Sequence, residues 1–196
     1  MATQRTPAEG AHGKGVRDDG GRDDGGRDDG RDDDDLDGFA VAVVRDEGRW
    51  TCRPMRPAAL RSLEAAVTEL AELRGGGAAF GLLDVDEEFF LLLRPGPRGI
   101  SLVLSDATAA LDYDIAADAL DALHVEVPDL DPDELDDTEP WAEGDLGLLD
   151  DVGLPEPVLG IILGETDLYP DEQLTLIAER CGFAEQLAAA VDAFRG

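Results

Sequence analysis

Lysine is almost missing from this chain: Lys14 is the only one. With it goes the phosphate-gripping lysine of a P-loop, and no Gly-x-x-x-x-Gly-Lys-Ser/Thr run occurs. Histidine is nearly as scarce, at two residues, His12 and His124. The two cysteines, Cys52 and Cys181, form neither a Cys-x-x-Cys pair nor a His/Cys cluster. They read as reduced thiols of a cytosolic protein rather than as a disulfide. Aromatics make up 5% of the residues, so the core must be built mainly from Leu, Val, Ala and Ile. No apolar run reaches the roughly 18–20 residues of a membrane span. The N-terminus has no hydrophobic core of a signal peptide. These absences predict a soluble, cytoplasmic protein.

What the chain has in excess is acid. Asp and Glu number 46 against 16 Lys and Arg, a formal net charge of −30. Residues 1–38 hold 12 acids and 6 bases, so −6, which leaves −24 for the remainder. Such a body repels phosphate backbones and anionic membranes and attracts basic partners at long range. Its 10 arginines are dispersed among 34 acids, so no basic stripe for direct nucleic-acid binding exists. Acidity also keeps a Leu-rich protein soluble. The preference for Arg over Lys, with abundant Ala, Gly and Asp, reads as the codon use of a GC-rich genome.

The first 38 residues form a tail. From Arg17, Arg22 and Arg27 the sequence repeats Arg-Asp-Asp-Gly and then decays into Asp32–Asp35. A segment with almost no apolar side chain cannot offset its ordering entropy, so disorder is predicted. Calcium-binding β-rolls use a nine-residue period with an apolar position, and neither is present.

Order begins at Phe39. Phe39–Val44 is a β-branched apolar run, Asp46-Glu47-Gly48 a turn, and Arg49–Arg53 an alternating second strand. Leu60, Leu63, Val67, Leu70 and Leu73 then mark an amphipathic helix ended by Gly75-Gly76-Gly77. That glycine run precedes a strand and is a turn, not a phosphate cradle. Strands follow at Ala79–Leu83, Glu88–Leu93 and Ile100–Leu104, the second apolar enough to be covered on both faces. Asp114 is placed to cap a helix that carries Ile115, Ala119, Leu120 and Leu123 inward.

The order β-β-α-β-β-β-α with short hairpins predicts an α+β fold on a five-stranded antiparallel sheet, a longin- or roadblock-like layout. The predicted organisation is a disordered tail over 1–38, an α+β domain over 39–125, an acidic linker over 126–143 and a C-terminal helical segment over 144–196. Helical pieces are read at Asp145–Val152, Glu156–Leu163, Pro170–Cys181 and Ala184–Phe194. Leu174, Ile177, Ala178 and Cys181 form a buried stripe that Gly182 ends. About 50 residues are too few to stand alone, so this segment docks on the sheet or pairs between subunits, which leaves a homo-oligomer open.

Chemistry is sparse. His124 reads as a surface residue at a helix end, and Cys181 as core. Asp84, Asp86, Glu87 and Glu88 could hold a hard cation, but a hairpin turn with solvated charges is the simpler reading. No catalytic, cofactor-binding or metal residue is assigned, and no partner-binding residue either.

Several segments together resemble one family. They are Glu88-Phe-Phe-Leu-Leu-Leu-Arg94, Leu102-Val-Leu-Ser-Asp-Ala-Thr-Ala-Ala110, Gly144-Asp-Leu-Gly-Leu-Leu149, Asp167-Leu-Tyr-Pro-Asp-Glu-Gln-Leu174 and Ile177-Ala-Glu-Arg-Cys-Gly-Phe183. This set is similar to the tRNA adenosine deaminase-associated protein family of high-GC Gram-positive bacteria, from Phe39 to the C-terminus. The resemblance implies association with a tRNA adenosine deaminase, by gene neighbourhood rather than by an established activity. A deaminase needs His-x-Glu and Pro-Cys-x-x-Cys to hold zinc and a proton shuttle. Here His124-Val125-Glu126 has no cysteine pair to join it. The reading is therefore a non-enzymatic accessory or interaction protein, with a tRNA adenosine deaminase or another basic protein as partner. Its rivals are an acidic nucleic-acid mimic or inhibitor, and an enzyme or metal-binding protein of unrecognised type.

Overall fold

The computed structural model describes residues 37–73, 78–97, 99–131, 134–135 and 137–196. Residues 1–36 of the predicted disordered tail and the Gly75–Gly77 turn lie outside the described residues, whereas Gly38, the last residue assigned to that tail, opens the first strand.

Strand β1 (Gly38–Asp46) turns back through Glu47 and Gly48 into β2 (Arg49–Pro54). After a 3-10 turn at Pro57–Leu60, helix α1 runs over Leu63–Glu72. Its cap is Ser62, whose hydroxyl accepts from the Ala65 amide at 3.2 Å. The predicted stripe therefore splits: Leu60 belongs to the 3-10 turn, while Leu63 and Leu70 are buried from the helix proper. Strands β3 (Ala78–Val85), β4 (Phe89–Gly96) and β5 (Gly99–Leu104) form a meander, and α2 follows at Asp114–Leu123. Asp114 is the first residue of α2 rather than its cap; Tyr113 holds the cap position, and its side chain makes no capping bond.

All pairings are antiparallel, in the order β2-β1-β3-β4-β5-β6. The expected five-stranded sheet is thus corrected to six strands. The sixth, β6, is only Glu143–Gly144, paired with Val103 and Leu104 of β5. Gly144 sits at φ +125°, and a Cβ there would stand 2.1 Å from the Leu102 carbonyl oxygen. Only glycine closes that approach.

Strand alternation feeds two cores. Leu83, Leu91, Leu93 and Leu104 face α1 and α2 with Ala66, Leu70, Ile115 and Leu120. Val41, Phe80, Leu82, Phe90 and Leu92 face the C-terminal layer with Leu159, Leu174, Ile177 and Phe183. β4 is buried on both faces, as its unbroken apolar run predicts. The C-terminal layer contains α3 (Glu156–Leu163), α4 (Pro170–Cys181) and α5 (Ala184–Arg195). Pro170 opens α4, and Gly182 ends it in the left-handed conformation at φ +85°. The predicted helix over Asp145–Val152 is instead a pair of turns and a 3-10 turn at Asp150–Val152. The Gly147 amide bonds the Asp145 carboxylate at 3.1 Å, a local partner that competes with a helical ladder.

Candidate functional site

The two helices of the first face leave an open groove between them, of about 340 Å³. Leu63 and Val67 of α1 and Ala122 of α2 give it an apolar floor, and Glu64, Asp118 and Asp121 give it an acidic wall. Asp118 and Asp121 are three residues apart, so one helical face presents both. A groove of this make-up suits a basic side chain with an apolar stem. Thr68 adds one hydroxyl to the lining, which holds no histidine or cysteine.

The sequence candidates do not converge. His124 is exposed and ends α2 in the left-handed conformation at φ +60°. Cys52 on β2 and Cys181 at the end of α4 are half-buried free thiols packed against the second core. Burial pushes the Cys52 thiol up to about 12 and the Cys181 thiol to about 11, so neither is a ready thiolate. Among the described residues no group of three or more His, Cys, Asp or Glu is arranged to hold a metal ion.

The acidic hairpin needs correction. Asp84 is not a solvated turn residue: it is the seventh residue of β3 and is 0% exposed. Asp86 accepts from the Tyr113 hydroxyl at 2.7 Å, whereas Glu87 and Glu88 are exposed. A second unforeseen contact is Arg94 at the end of the apolar run. Its guanidinium donates to both carboxylate oxygens of Asp151, one at 2.6 Å, and to the Leu148 carbonyl. The pair lowers the Asp151 pKa and raises that of Arg94, chiefly through their side-chain hydrogen bonds. It pins the 145–152 turns to the sheet.

Charge is unevenly placed along the body. Between residues 99 and 179 there are 23 acids and no Lys or Arg, whereas Arg45, Arg49, Arg53, Arg56 and Arg61 crowd one short stretch. Part of that cationic stretch is already engaged. Arg56 bonds Glu69 at 3.1 Å, and Arg45 lies over the Trp50 ring at 5.1 Å. From β5 as far as Glu179, one residue short of the exposed Arg180 in the last turn of α4, the chain carries carboxylates and no Lys or Arg.

These features define an acidic α+β protein whose sheet is layered by helices on both faces and which carries an open acidic groove between α1 and α2. Comparison then places it. A family model described as Rv3753c-like tRNA adenosine deaminase-associated protein matches residues 38–184, and the chain belongs to that family. A similar relative is protein Rv3753c of Mycobacterium tuberculosis (strain ATCC 25618 / H37Rv), 66% identical over 156 residues. That match covers 80% of this chain and 88% of the relative. No solved structure matches. No described helix is long and apolar enough to cross a membrane.

Proposed function

We propose that this chain is a non-enzymatic cytoplasmic accessory protein that binds a tRNA adenosine deaminase directly, through charge. The family's description supplies the partner class. The observation that carries the reading is the stretch of 23 acids over residues 99–179 without a single Lys or Arg. An enzyme that grips tRNA must present Lys and Arg to the phosphates, and that surface is complementary to this one. The groove between α1 and α2 offers such cations an apolar floor and three carboxylates. In this scheme residues 1–38, up to the Gly38 that opens β1, are a solvated extension outside the binding body. The domain over 39–125 and the helical segment over 144–196 make up that body, and residues 126–143 are a linker between them whose last residue, Glu143, joins the sheet in β6.

The test is calorimetry of the full chain with the deaminase from the same organism, at about 0.05 M and about 0.3 M salt. Association that weakens at the higher salt and is competed by tRNA is the expected result. No association in either condition, with active deaminase, overturns direct contact. Binding indifferent to salt would replace the electrostatic reading with an apolar one.

A further inference from the structure

Asp84 occupies a position that the rest of the sheet reserves for apolar side chains. Register sets it between Phe39 on β1 and Phe90 on β4, both members of the second core. Its side chain is fully buried, and neither carboxylate oxygen has a hydrogen-bond partner among the described residues. Four charged groups act on it: Asp86 and Glu87 from the β3–β4 turn, Asp171 from the first turn of α4, and Arg195 from the last turn of α5. Three of the four are acids, and the one cation also contacts Glu87, at 4.0 Å. Burial first, then the neighbouring carboxylates, push the Asp84 carboxyl up to about 7.

An ionised carboxylate cannot remain dry and unpartnered without a large desolvation cost. Two remedies exist: it keeps its proton, or water reaches it. Water can reach it only if a covering element lifts. Two of the charged groups around Asp84 sit at helix ends, Asp171 opening α4 and Arg195 closing α5. Helix ends open locally at lower free energy than helix centres or strands.

We propose that Asp84 is a proton-operated latch for the C-terminal layer: α4 and α5 seat fully on the sheet while its carboxyl is neutral, and loosen when it is charged. The direction follows from linkage. In the opened form the carboxyl returns to an ordinary value of about 3.9. Between about pH 4 and pH 7 the seated form then holds more protons than the open form. Opening therefore becomes easier as pH rises through that window and levels off above it.

Hydrogen exchange of the full chain, followed from pH 5 to pH 8 and corrected for intrinsic amide rates, tests the latch. Opening constants of amides in α4 and α5 should rise roughly 10- to 100-fold across that range. Those in α1 and α2, on the other face, should not follow. In Asp84→Asn, which keeps the shape and loses the charge, the rise should vanish. A flat wild-type profile, or an Asp84→Asn profile with the wild-type slope, overturns the latch. Should the variant not fold, carbon NMR of the wild-type Asp84 carboxyl decides. A midpoint near 7 supports the proposal, and one in the ordinary carboxylate range overturns it.

Discussion

On one face of the sheet, α1 and α2 cover Leu83, Leu91, Leu93 and Leu104, and among the described residues no polar side chain is buried there. On the other, the C-terminal layer covers Phe80, Phe90 and Leu92 from the same strands, and it encloses Asp84 and Gln173 as well. The two layers also differ in reach along the chain. α1 and α2 each pack close in sequence to the strands they cover, whereas the Arg94 contacts to Leu148 and Asp151 span 54 and 57 residues. A layer recruited from so far away has many ways to sit on an apolar sheet. Directional bonds select among them, since a misplaced polar group in a dry interface is left unsatisfied. Apolar area gives the second layer its strength, and its few polar contacts give it its position.

Three substitutions test that contrast. The largest effect is expected from Phe183→Ala. This ring lies 5.0 Å from Trp50 and 5.8 Å from Phe80, centroid to centroid, and its removal opens the middle of the second core. A loss of about 3–5 kcal/mol in urea unfolding is expected. Leu91→Ala strikes the first core instead, and about 2–5 kcal/mol should be lost. A loss below about 0.5 kcal/mol would show that this face is not the sealed apolar layer described.

Gln173→Leu should have the smallest effect and the sharpest meaning. Its amide donates to the Ile162 carbonyl at 3.1 Å and to the Glu165 carbonyl at 3.0 Å, tying α3 to the first turn of α4. Each carbonyl keeps a backbone partner, the Glu165 amide on Ile162 and the Leu168 amide on Glu165, so losing the two side-chain bonds should cost only about 0.5–1.5 kcal/mol. Faster amide exchange should be confined to the C-terminal layer. Loss of protection spread evenly through α1 and α2 would dissolve the distinction between the two faces.

Much of this architecture is legible in the sequence because a few residues speak unambiguously. The unbroken Phe89–Leu93 run calls for cover on both sides, and Pro170 and Gly182 bracket α4 by their own backbone limits. Asp84 was obscured by its surroundings: in a chain with so many carboxylates, an Asp beside Asp86 and Glu87 looks like part of a solvated turn. A signal was nonetheless there, because Phe80, Leu82 and Asp84 fall on one side of a strand by simple alternation. Strand β6 had no such signal, for two residues that include a glycine show no period. The groove was equally invisible, since it exists only once α1 and α2 lie side by side. Leu146 and Leu149 imitate a helical step, and the Asp145 turn that overrides it is visible only in three dimensions.

The short strand β6 changes how copies of this protein can meet. By pairing with β5 it covers part of one margin of the sheet, and the Ala107 amide is bonded to the Trp141 carbonyl just beyond it. At the other margin stands β2, whose exposed residues include Arg49, Thr51 and Arg53. Two such margins laid antiparallel about Thr51 would set Arg49 of each copy against Arg53 of the other, like charge on like charge. The sheet is thus guarded by a glycine-dependent seal on one side and by electrostatic refusal on the other. A Gly144 substitution would unseat the seal and expose more of β5, opening that margin to strand-to-strand stacking.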